Sequence, residues 1–80
     1  MYRKDIDLLE FLIEELKKME KGKVKHSREN IKKLEDEVKK SSKNNVEHIC
    51  YILEGTFNGI SLEQAVSLFE RLKSAILCCI

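Results

Sequence analysis

The sequence has no proline and no tryptophan, only three glycines and only three cysteines among its 80 residues. Each scarcity removes an option. Without proline, no segment is barred from a helix by a fixed φ and a missing N–H. Gly22, Gly55 and Gly59 alone lack a Cβ, so tight left-handed turns concentrate there. An odd and small number of thiols does not build the cross-linked framework of a small secreted domain, and it points to a reduced, cytoplasmic protein. The longest wholly apolar or thiol run, A-I-L-C-C-I from Ala75 to Ile80, is far below the roughly 18 residues that cross a bilayer. No membrane association is expected. The opening M-Y-R-K-D-I-D places two acids before any apolar run, unlike a signal peptide.

Excess charge of one sign is also missing. The net charge is +1, so the molecule as a whole is neither a polycation nor an acidic mimic of nucleic acid. There is no internal repeat and no linker rich in Pro, Gly or Ser, which predicts one domain over residues 1–80.

Reaction chemistry is sparse as well. No glycine-rich phosphate loop, G-x-S-x-G or H-E-x-x-H occurs. His48 and Cys50 sit about 200° apart on a helix, and Cys78 and Cys79 about 100° apart, so neither pair converges on a tetrahedral metal. The position four from the end is Leu77, which excludes a C-a-a-X lipidation box. The paired acids Glu14–Glu15 and Asp36–Glu37 fall on exposed faces with no cleft in prospect, and read as solvated charge. The sequence therefore predicts no catalytic residue, no metal, no cofactor and no small-molecule substrate.

What is present is helical pattern. Hydrophobic residues make up 42% and charged residues 36%, with Lys and Glu prominent, and an all-α fold follows. The periodicity predicts a short–long–short set of helices over residues 4–21, 27–54 and 61–79. On the first, Ile6, Leu8, Leu9, Leu12, Ile13, Leu16 and Met19 form one stripe, and Gly22 supplies a stop. Ser27 is a good N-cap for the second. Its stripe of Ile31, Leu34 and Val38 continues in phase to Ile49, Ile52 and Leu53, which argues for one helix about 40 Å long. The intervening Ser-Ser-Lys-Asn-Asn has weak helix propensity, and Asn44 with Glu47 could cap a new helix. A break near Ser42, giving four helices, is the alternative. Ser61 with Gln64 forms a capping box for the last helix.

The apolar arc of that last helix, about 200° wide, exceeds what one neighbour covers. It predicts a homodimeric bundle joined through Phe69, Leu72, Ile76, Cys79 and Ile80. Three aromatics, Phe11, Tyr51 and Phe57, fall off the stripes and are candidate anchors for a partner protein.

Charge is arranged by segment, with net −2 over residues 1–20, +5 over 21–43 and −2 over 44–80. The positive peak is Lys21, Lys23, Lys25, His26, Arg28, Lys32 and Lys33, opposed only by Glu29, at the tip of the first hairpin. These residues are candidates for contact with phosphate or an acidic partner. The expected function is a small non-enzymatic regulator that binds another protein, of the size and class of inhibitors, antitoxins, anti-repressors or phage and mobile-element modulators. The alternative is a nucleic-acid-binding helical dimer using the tip at residues 21–33.

Overall fold

The computed structural model describes residues 2–42 and 44–78. It contains four helices, α1 (Tyr2–Glu20), α2 (Arg28–Ser41), α3 (Val46–Gly55) and α4 (Leu62–Cys78). The expected long helix over residues 27–54 is thus two helices, and the alternative with a break near Ser42 is the one the chain adopts.

The local chemistry explains the break. Ser42 leaves helical geometry at φ −121°, ψ 140°, and its N–H still donates to the Val38 carbonyl. Its buried hydroxyl lies 2.6 Å from the Asn44 carbonyl and 3.2 Å from Asp5 Oδ1. Asn45 then turns the chain in the left-handed region, at φ 61°, ψ 14°. Ser and Asn favour such departures because their side chains compete for backbone groups. Packing points the same way. A straight helix 40 Å long would carry Ile49, Ile52 and Leu53 past the end of the 19-residue α1, about 28 Å long, and leave them uncovered. Folding back buries all three. The matched phase of the two stripes reflects two antiparallel helices facing one core, not one helix continuing.

The other ends follow their caps. Lys23 N–H donates to the Lys18 carbonyl (2.8 Å) and Gly22 N–H to the Met19 carbonyl (3.1 Å), a Schellman closure with Gly22 at φ 76°. Ser27 Oγ accepts from Asn30 N–H at 3.3 Å. Ser61 Oγ accepts from Gln64 N–H (3.1 Å) while Gln64 Oε1 accepts from Ser61 N–H (3.0 Å), completing the expected capping box. Before it, Ile60 N–H reaches back to the Gly55 carbonyl at 2.8 Å, and a Cβ on Gly55 would run into Ile60 Cδ1.

The helices run up and down in a ring, each packed on its two neighbours, with α1 against α4 the most extensive pair and α1 against α2 much looser. Lys73 pairs with Glu10 at 3.2 Å and Lys17 with Glu70 at 4.0 Å, which fixes α1 and α4 antiparallel. Leu8, Leu9, Leu12, Ile13, Leu16 and Met19 meet Ile31, Leu34 and Val38, then Ile49, Ile52 and Leu53, then Ala65, Val66 and Phe69. The radius of gyration, 11.8 Å, matches the roughly 12 Å of a packed domain of this length.

The residues expected to join two copies lie partly within this ring. Phe69 is 0% exposed within a single chain, and Leu72 and Ile76 pack against the same core. On α4, Ala65, Val66 and Phe69 are buried, Leu62, Leu68, Leu72 and Ile76 are half-buried against the core, and Leu77 stays 50% exposed. Cys79 and Ile80 lie outside the described residues. One end of the bundle carries the α1–α2 tip and the α3–α4 turn. At the other, Asp5, Ser42, Asn45, Leu72 and Ile76 border one small hollow.

Candidate functional site

The end bearing both turns holds the most elaborate side-chain cluster. The His26 ring stacks on Phe57, with centroids 4.3 Å apart and planes 14° from parallel. Arg28 Cζ sits 4.7 Å from the centre of the same ring. His26 Nε2 is 2.8 Å from Thr56 Oγ1, and Thr56 Oγ1 is 2.7 Å from the Leu53 carbonyl. A hydroxyl has one proton, and here it goes to Leu53, so His26 Nε2 is the donor to Thr56; the proton is assigned from this network. Arg28 also lies 3.7 Å from Glu54. Residues from the basic tip are thereby fastened to the α3–α4 turn.

Of the seven tip residues singled out by charge, His26 and Arg28 belong to this clasp. Lys21, Lys23, Lys25, Lys32 and Lys33 are all exposed, and among the described residues none is in an ion pair. The Schellman turn, the Ser27 cap and Asn30 Nδ2 donating to the Lys25 carbonyl at 2.6 Å fix the backbone beneath them.

Behind the clasp, Glu35 of α2 faces Glu54 of α3. Burial, then a hydrogen bond to Glu54 and the Glu54 charge, hold the Glu35 carboxyl above its ordinary range. Burial also pushes the Cys50 thiol up, helped by Glu35 and Glu54, so Cys50 is a poor nucleophile and packs as a small apolar group. No three His, Cys, Asp or Glu residues among those described converge as a metal site. Cys78 is exposed. No helix among the described residues is long and apolar enough to cross a membrane.

The three outlying aromatics separate. Phe57 is half-buried in the clasp. Tyr51 is 71% exposed on α3. Phe11, 42% exposed, stands in the loose α1–α2 seam between two adjoining hollows of about 480 and 400 Å³. Phe11 lines both; Leu8 adds to the apolar floor of the first and Met19, Val24 and Leu34 to that of the second, with Lys4, Asp7, Glu15, Lys33, Asp36, Glu37 and Lys40 along the rims. Sequence patterning marked Phe11 as off-stripe but could not show that α2 would leave a groove beside it. It missed the clasp and the Glu35–Glu54 pair altogether. Both depend on α3 folding back, and the only sequence signal for that was Ser-Ser-Lys-Asn-Asn. Comparison with protein families, curated proteins and solved structures finds no match to this chain.

Proposed function

We propose that this chain is a small non-enzymatic regulator that binds another protein by taking an amphipathic helix of that partner into the α1–α2 groove. The observation that carries this reading is Phe11, exposed at the centre of a two-part groove with an apolar floor and rims of both charge signs. Grooves between helices accept a third helix through apolar anchors one and two turns apart, and an aromatic at the middle is the usual energetic centre. The alternating rim charges suit a helix whose flanks are likewise mixed.

Affinity capture from the native cells with wild type and Phe11→Lys tests this. The lysine falls four residues from both Asp7 and Glu15, a spacing that supports the helix. A protein retained by wild type and lost with the variant, at unchanged helical circular dichroism, supports the groove. Identical retained sets for the two would sink it.

A further inference from the structure

The basic tip carries a second binding surface, which shares Lys33 with the rim of the groove. We propose that the α1–α2 tip contacts the phosphate backbone of nucleic acid without reading base sequence, through lysines held in place by the His26–Phe57 clasp.

Three observations lead there. First, the charge is concentrated and uncancelled. Lys21, Lys23, Lys25, Lys32 and Lys33 are exposed with no ion-pair partner among the described residues; Lys4, Lys39 and Lys40 are also unpaired, but five such lysines fall together only within residues 21–33. Second, the tip is built to stay put. Gly22 closes α1, Ser27 starts α2, and His26 is stacked and hydrogen-bonded across to the α3–α4 turn. Third, the residue types fit phosphate better than other anionic surfaces. Lysine is a compact point charge that suits a phosphate and is depleted from protein–protein interfaces. A membrane-surface patch would pair its lysines with protruding apolar groups. Here the tip's Val24 packs against the core, and the exposed large hydrophobics, Phe11, Tyr51 and Leu77, belong to other segments. Phe57 already carries His26 and Arg28, which leaves little ring for stacking a base, so contact falls to the backbone.

Fluorescence anisotropy with two labelled 20-base-pair duplexes of unrelated sequence tests the proposal. The expected result is equal, micromolar-range binding of both at 50 mM salt. With about four phosphates neutralised, affinity falls roughly 100-fold by 200 mM salt. The triple variant Lys23→Glu, Lys25→Glu, Lys32→Glu should bind at least about 30-fold more weakly at 50 mM, with helical content intact by circular dichroism. No binding by the wild type at 50 mM, or binding undiminished in the triple variant, overturns the proposal. So does tighter binding to vesicles containing anionic phospholipid than to either duplex, which would assign the lysines to a membrane surface.

Discussion

His26 and Phe57 stack with ring centroids 4.3 Å apart, joining the loop after α1 to the turn after α3. The contact gathers Arg28, Thr56 and Glu54 around it and locks the two turns at one end of the bundle together. In a chain of 80 residues, with little core to draw on, one such clasp is a sizeable part of the total stability.

Phe57→Ala removes the stack, the cation contact and a half-buried ring. The expected cost is about 2 kcal/mol, less than for a fully buried Phe. Thermal unfolding should fall by about 10 °C for a domain of this size. A double-mutant cycle with His26→Ala should give a coupling of about 1 kcal/mol. Coupling near zero would mean that the two rings touch without supporting each other.

The clasp also shows where the sequence stops being legible. The all-α class, the α1 stripe, the Gly22 stop, the Ser27 cap and the Ser61–Gln64 box all follow from local chemistry, and each is present. The continuity of residues 27–54 was a question of tertiary packing. Phase alone could not decide it, because a helix that folds back antiparallel buries the same stripe. That one junction determines the site, since a straight helix would hold His26 and Phe57 about 40 Å apart. The α4 arc is covered in part by α1 and α3, with Leu77 left exposed, and α3 takes its place there only because of the break.

Asn45 tests the junction directly. Its left-handed backbone, φ 61°, is tolerated by Asn and free for Gly. Asn45→Gly should leave stability within about 0.5 kcal/mol of wild type, and Asn45→Val should cost about 1–2 kcal/mol in urea unfolding. Equal effects of the two would contradict a left-handed turn there.

The Glu35–Glu54 pair gives a pH dependence of stated sign. Glu35 in the fold holds its proton above the ordinary glutamate value near 4.5, through burial first and Glu54 second. Its contribution is therefore fully present below that value and is lost as pH rises through the raised folded value. Glu35→Gln removes the repulsion, so at pH 7 it should be more stable than wild type by a few tenths of a kcal/mol, the scale of partly exposed charge effects. The advantage should vanish on acidification below about pH 4.5. Chemical denaturation at pH 7 and pH 4 reads both arms, and a variant less stable than wild type at pH 7 would reverse the assigned sign.

Thiol reactivity should divide by position. Burial and the two carboxylates oppose the Cys50 thiolate, whereas Cys78 is exposed. Under limiting iodoacetamide at pH 7.5, the tryptic peptide that begins at Ser74 should be labelled well before the one containing Cys50. Faster labelling at Cys50 would mean that α2 and α3 open readily.

The groove around Phe11 carries the account of function, and site-specific photo-crosslinking tests it most directly. A benzophenone amino acid would be placed at Phe11, at Tyr51 as the exposed aromatic outside the groove, and the chain irradiated in its native cells. The account expects a discrete adduct to another protein from position 11 and none of that mass from position 51. No adduct from position 11, the same adduct from both positions, or an adduct only to a second copy of this 9.4 kDa chain would contradict it.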